Sequence, residues 1–489
     1  MKKNKKILDD QNSIMNQNLV KQAKSGFAWD LMGTFFKQIS VLTVSAILAR
    51  LLSPEEFGVI GMAMVFVSIS QIFIDIGFTQ GLIQNQKNTK TIYSSVFYLN
   101  IVLGFLICTL LFLLAPLIGS FYEMNQVIAV VQWLCIIPLI SAFGSVQKVQ
   151  FIKRLDFKTL AYSTVFSTII GGVIGIVVAF LHYGVFALVA QQITTAIILT
   201  VILWLKSNWR PSWVFSFKEI KKILNFSIYV FLDNFSRTFF NKLDTLFIGK
   251  YFSAATLGFY SRAESLNAQI IQYTTSSLGK VIFPTFSKFQ DNRKVFEANY
   301  FKVFHLATVV TVFLVGPLFF LAEDIIITLL GDKWKPSVLI FQILVFKILI
   351  SPFGTLTAKS LLAKGFSKKK FQINQIKRLL LFAPIYFGYL YGLNAFLITL
   401  IVAKSIVFII SIWTVHKYLN ISFTKQLIAF IKPTVTFLIM LFIYYYFQIE
   451  TNSYLLSLII LSIQFSYLYL IKSPGLYILI NLIKTYRNG

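Results

Sequence analysis

Apolar residues run along this chain in stretches of about 20, and short polar breaks separate them. That is the length at which a helix crosses the hydrocarbon core of a bilayer. About 14 stretches follow one another. They start near Phe27, Phe57, Ile92, Val127, Leu160, Val185, Ile223, Leu257, Tyr300, Val338, Phe371, Ala395, Leu427 and Tyr454. The pattern predicts an all-α polytopic membrane protein. Pro474-Gly475 ends the last stretch, and the "LYILINLIKTYRNG" that follows predicts a short interfacial helix. Residues 1–25 are polar and contain no apolar run, so no cleaved signal peptide is expected.

Cations set the expected orientation. With the N-terminus inside and the spans alternating, the inner segments hold 34 Lys and Arg, and 7 of the 45 fall within spans. The outer loops hold only Arg50, Lys250, Lys333 and Lys335. Cytoplasmic loops collect basic residues, so both termini are expected in the cytoplasm. The outer loops are short; the longest lies around "AEDIIITLLGDKWKPS", Ala322 to Ser337.

A repeat organises the spans. "ARLLSPEEFG" (Ala49 to Gly58) and "GKYFSAATLG" (Gly249 to Gly258) lie 200 positions apart. The offset pairs Arg50 with Lys250, Ser53 with Ser253 and Gly58 with Gly258. It also pairs Phe35 with Phe235, Lys37 with Arg237, Ser45 with Thr245 and Ala63 with Ala263. Six spans separate the copies, which predicts a parallel repeat, as in transporters built from two halves. The expected organisation is a polar tail (1–25), a six-helix bundle (26–206), a linker (207–222) and a second six-helix bundle (223–417). Two additional helices (418–472) and an interfacial tail (473–489) follow. The bundles are expected to be related by a pseudo-two-fold axis. The polar break at 49–58 reads as the outer turn between the first two helices. Ser53 is a suitable N-cap there, Pro54 fits the first helical position, and Glu55 and Glu56 suit the helix N-terminus.

The composition agrees: 57% hydrophobic, 16% aromatic and 13% charged residues. Soluble domains carry about 25% charged residues. The net charge of +27 would suit nucleic acid, but the cations form short clusters between apolar runs, so no nucleic-acid partner is expected. Cys108 and Cys135 both lie in apolar runs and read as small buried hydrophobes. His182, His305 and His416 are scattered near span ends, and no metal or cofactor is expected. "GGVIG" at 171–175 reads as close helix packing rather than a nucleotide loop. Asp75, near the inner end of the second span, reads as a cap.

Ionisable groups at bilayer depth are costly and usually face a bundle interior or a wet cavity. Asp30 and Lys37 share one face of the first span. In the seventh, Asp233, Arg237, Asn241 and Asp244 form a polar stripe at helical spacing, with Lys242 off it. Arg262 and Glu264 begin the eighth. Lys347 and Lys404 lie near the middle of the tenth and twelfth spans, with no acid nearby in sequence. Two readings fit. In one the charges are helix-to-helix glue, with Asp233 pairing Arg237 at i, i+4 and Asp30 pairing Lys37. In the other Lys37, Arg237, Lys347 and Lys404 are cavity cations for a phosphate-type anion. Asp30, Asp233 and Asp244, with Arg262 and Glu264, are then candidates for ion coupling or ion pairing.

The residues themselves resemble a known family. "LARLLSPEEFGVIGMAMVF", "FIDIGFTQGLIQ", "APLIGSFYE", "QFIKRLDFKTLA", "YGVFALVAQQ", "LDTLFIGKYFSAATLGFYSRAESL", "VIFPTFSKFQDN" and "LLGDKWKPS" are similar to bacterial oligosaccharide flippases. The type is that of colanic-acid and teichuronic-acid exporters, in the multidrug/oligosaccharidyl-lipid/polysaccharide exporter superfamily. The resemblance covers roughly Gly26 to Phe371. It implies two six-helix bundles around a cavity in the bacterial inner membrane. The implied activity is flipping of a polyprenyl-pyrophosphate-linked oligosaccharide to the outer leaflet by alternating access, without covalent chemistry. Superfamily members place cavity cations on the first and seventh helices, which fits Lys37 and Arg237. Membrane lipids, the lipid-linked oligosaccharide, a polysaccharide polymerase and glycosyltransferases are the implied partners. Two rivals are a membrane polysaccharide polymerase or ligase, which the short outer loops disfavour, and a multidrug exporter, whose cationic substrates a basic cavity would repel.

Overall fold

A computed structural model describes residues 26, 29–30, 32–75, 77–85, 89–447 and 453–487. The polar tail 1–25 and the side chain of Asp75 lie outside the described residues. The described residues are nearly all helical, joined by short turns and the loop 207–216, and contain no strands. The first eight helices are α1 (Met32–Leu51), α2 (Pro54–Asp75), α3 (Phe78–Gln84), α4 (Lys90–Tyr122), α5 (Asn125–Leu134), α6 (Ile136–Lys153), α7 (Phe157–Phe180) and α8 (Phe186–Lys206). Two 35-residue helices follow, α9 (Phe217–Tyr251) and α10 (Ala254–Lys288). Then come α11 (Arg293–Phe320), α12 (Ala322–Leu330), α13 (Ser337–Ala363), α14 (Ser367–Leu379), α15 (Phe382–Tyr391) and α16 (Leu393–Leu419). The chain closes with α17 (Phe423–Phe447), α18 (Ser453–Leu470) and α19 (Pro474–Arg487).

Eleven helices among the described residues are long and apolar enough to cross a membrane. The protein is a multi-pass membrane protein. Three of the 14 expected spans fall short, and each for a visible reason. α9 and α10 bear charges along their length, and the span expected at Phe371 is divided into the basic α14 and the apolar α15. Single spans are themselves divided at Cys135, which ends α5 and precedes α6.

Local chemistry starts and stops these helices. The Thr89 side chain caps α4 by accepting from the Ile92 amide at 3.3 Å, and α4 ends where Glu123 turns left-handed at φ 57°. Asp156 caps α7, accepting from the Thr159 amide at 3.0 Å and its hydroxyl at 2.7 Å. The "GGVIG" segment packs as expected. A Cβ on Gly171 would lie 2.0 Å from Thr195 Oγ1, and one on Gly175 would lie 2.8 Å from Gln191 Cβ, so only glycines let α7 lie this close to α8.

Two compact units divide the chain, Met1–Gly258 and Phe259–Gly489. In the first, α2 packs against α4, α5 and α9. In the second, α11 packs against α13, α17, α18 and α19. Its core holds Phe304 against Phe353 and Phe408 against Phe430, each pair with centroids 4.5 Å apart. The buried Tyr300 hydroxyl donates to Gln426 Oε1 at 2.8 Å, which satisfies both polar groups. α19 tucks Leu476 against Val309 and Leu468.

Candidate functional site

The two outer turns come first, because they position the polar helices. At the start of α2, Ser53 Oγ accepts from the Glu56 amide at 3.3 Å, and Glu56 Oε2 accepts from the Ser53 amide at 2.6 Å. This is a reciprocal capping box. At the start of α10, Ser253 Oγ accepts from the Thr256 amide at 3.1 Å. The turns also grip each other. A Cβ on Gly58 would stand 1.8 Å from Ala254 O, and a Cβ on Gly258 would stand 1.8 Å from Pro54 O. Residue 58 meets 254 and residue 258 meets 54. Such reciprocity is what a two-fold relation between equivalent patches produces. The 200-residue repeat is therefore physical at this contact.

Below the turns lie the predicted cations. Lys37 on α1 is exposed, and Lys148 on α6, also exposed, acts on it as a like charge. Neither forms an ion pair among the described residues. Arg237 on α9 is exposed too, and its Nη2 donates to the neutral Asn234 Oδ1 at 2.9 Å. The Asp233–Arg237 pair of the glue reading is thus replaced by an i, i+3 contact with a neutral amide. Asp233 and Asp244 are half-buried and engaged elsewhere, as is Asp30, whose backbone carbonyl also accepts from Thr34 Oγ1 at 2.7 Å. Phe231, Phe235 and Phe239 stack at one-turn spacing along α9, and Phe73 of α2 meets the first two at 5.2 and 5.5 Å.

Two expected cations have a different standing. Lys347 is not a lone charge: its Nζ donates to both Glu264 carboxylate oxygens at 2.7 Å. The acid lies 83 residues earlier in the chain, on α10, and packing within the second unit brings it to α13. A buried cation with a bidentate partner needs no anionic visitor. Lys404 likewise is engaged rather than free. Arg262 is half-buried on α10 and also has a partner. Lys148 is the residue that sequence reasoning missed. It was counted with an inner loop, yet it lies inside α6, between buried Gln147 and Val149. Cys108 and Cys135 are packed in the apolar region as expected, with their sulfurs 3.5 Å apart.

The arrangement offers an anion three cations, Lys37 on α1, Lys148 on α6 and Arg237 on the charged α9, with no carboxylate paired to them among the described residues. The family described as "Polysaccharide biosynthesis protein" matches residues 47–339. The chain belongs to this family. Among its relatives is the teichuronic acid biosynthesis protein TuaB of Bacillus subtilis (strain 168), 25% identical over 355 residues, or 71% of this chain and 72% of that protein. Another is the succinoglycan biosynthesis transport protein ExoT of Rhizobium meliloti (strain 1021), 26% identical over 292 residues, or 59% of this chain and 58% of that one. The solved structure described as lipid II flippase MurJ, inward closed conformation, is similar with a TM-score of 0.72 at 18% identity. The likeness spans 90% of this chain and 98% of that one and establishes the fold. The exporter resemblance seen in the sequence is thus borne out at the level of family and fold.

Proposed function

We propose that this protein flips a polyprenyl-pyrophosphate-linked oligosaccharide from the cytoplasmic to the outer leaflet for cell-surface polysaccharide synthesis. The observation that carries the reading is the set Lys37, Lys148 and Arg237. Lys37 and Lys148 lie on membrane-spanning helices, Arg237 lies on the more highly charged α9, and none of the three has an acid partner among the described residues. An unpaired cation at bilayer depth is costly, and a diphosphate head group would offset that cost on arrival. The stacked phenylalanines of α9 suit a sugar chain, since apolar ring faces pack well on sugar faces. The protein performs no covalent step in this reading. It sits in the cytoplasmic membrane with both termini inside, its two six-helix halves span 26–206 and 223–417, and it works beside a polymerase and glycosyltransferases.

The test is flipping in reconstituted vesicles, with a polyprenyl-pyrophosphate oligosaccharide as cargo and its exposure in the opposite leaflet as readout. Arg237→Ala and Lys37→Ala are expected to abolish movement while leaving folded protein in the membrane. Normal flipping by both variants would sink the cation reading. Folded wild type that moves no matched cargo would sink the flippase reading. Asp233→Asn is expected to alter the dependence on pH or Na⁺ if that acid couples transport, and an unchanged dependence would remove it from that role.

A further inference from the structure

A groove of about 690 Å³ lies between α1 and α7, and neither Lys37 nor Arg237 of the transport reading lines it. Its floor is set by Gly33, where a Cβ would stand 2.2 Å from Ala161 Cβ. Its walls are apolar: Met32 and Phe36 on α1, with Tyr162, Phe166 and Ile169 on α7. All five side chains are exposed, and Tyr162 stacks on Phe166 at 5.5 Å. One end is different. Lys158 and Lys206 line it, and Lys158 Nζ stands 5.1 Å from the centre of the Trp29 ring. Asp156 is there as well, but both of its oxygens are occupied by Thr159 in capping α7. Neither lysine has an acid partner among the described residues.

We propose that this groove binds one anionic glycerophospholipid, with its phosphate between Lys158 and Lys206 and an acyl chain along α7. Length argues for this occupant. From Lys158 to Ile169 the helix rises about 16 Å, close to half of a 30 Å hydrocarbon core. The groove is therefore one leaflet deep, with cations at the head-group end only. A basic pocket between membrane helices at the inner surface suits a lipid phosphate, and a tryptophan suits the head-group level. The head-group end is formed by the start of α1, the start of α7 and the end of α8, all on the side that the cation count makes cytoplasmic. A polyprenyl carrier tail is longer than one leaflet and would overrun the groove. The inference needs only membrane embedding and does not rest on the transport reading.

The experiment places a reporter tryptophan in mid-groove with Phe166→Trp and reconstitutes the full chain. Its quenching by brominated-acyl phosphatidylglycerol is compared with quenching by brominated-acyl phosphatidylcholine, after subtraction of the parent signal. Half-quenching is expected at about fivefold lower mole fraction of the anionic lipid, the preference two lysines and one acid sustain near a membrane surface. Adding Lys158→Gln and Lys206→Gln is expected to remove the preference. Lys206→Gln alone, at an exposed side chain, is expected to reduce it without affecting folding. Equal quenching by the two lipids, or a preference that survives the double lysine change, would overturn the proposal. Displacement of the brominated anionic lipid by equimolar polyprenyl phosphate would overturn it in favour of the carrier.

Discussion

The turn between α1 and α2 and the turn between α9 and α10 were made from the same plan, while the helices beneath them were not. Both turns cap with serine, at Ser53 and Ser253, and both present a glycine five residues later to the other's backbone. Below, the same 200-residue offset sets Gly33 against Asp233, Thr34 against Asn234 and Lys37 against Arg237. Gly33 lets α1 touch α7, whereas Asn234 holds Arg237. The difference separates two kinds of constraint. Where backbone meets backbone at 1.8 Å from a notional Cβ, no side chain substitutes for glycine, so both copies keep it. Where a side chain faces open space, only its charge is constrained, and the identities drift.

The largest expected effect tests the backbone half of that comparison. Gly58→Ala and Gly258→Ala should each destabilise the detergent-solubilised protein by about 3 kcal/mol, because a carbonyl must move. The two costs should match, and the double variant should cost less than their sum, since parting the turns relieves both contacts. Unequal losses in denaturant titrations would break the two-fold account. Next is Lys347→Ala, which strands Glu264 and should cost about 2 kcal/mol, discounted for the partial exposure of the acid. Lys347→Met with Glu264→Gln should recover most of it. Lys37→Ala should by contrast change stability by no more than about 0.5 kcal/mol, because it breaks no pair. A loss as large as that of Lys347→Ala would show that Lys37 is glue.

The smallest effect lies at Lys250, the counterpart of Arg50. Its Nζ donates to Glu123 Oε1 at 2.7 Å. That hydrogen bond, aided by the attraction of the charges, holds the exposed Glu123 carboxyl below its ordinary value of 4.5. A lowered carboxyl contributes stability above the ordinary carboxylate range and loses it as pH falls through the folded value. The melting temperatures of wild type and Lys250→Met should therefore differ slightly at neutral pH and converge as pH falls through the lowered Glu123 value. A difference that persists in acid would remove this pair from the account, and added salt should also shrink it.

Much of this was legible in the chain. The apolar runs marked helices that form, Ser53-Pro54 marked the start of α2, and the glycines at 171–175 marked the α7–α8 contact. The repeat was legible because its polar turn stands out against apolar surroundings. The partner of Lys347 was not legible, since hydropathy holds no information about which helix lies beside which. The glue reading paired Asp233 with Arg237 by spacing, but Asn234 offered its oxygen at i, i+3 spacing on the same helix. Lys148 was hidden because a cation close to a span end looks like a loop cation until the helix is seen to continue through it to Lys153.

The chain's own residues carried the many membrane crossings, the cation bias along them, and several helix starts such as Pro54 of α2. Those properties depend on transfer of short segments from water to hydrocarbon, which each segment's own residues decide. Packing between helices settled that Lys347 is neutralised while Lys37, Lys148 and Arg237 have no acid partner among the described residues, and that Gly58 meets Ala254 while Gly258 meets Pro54. Those outcomes depend on lateral neighbours. Residues far apart in sequence are brought to a few ångströms by packing between helices, and there a single carboxylate or a missing Cβ decides the result.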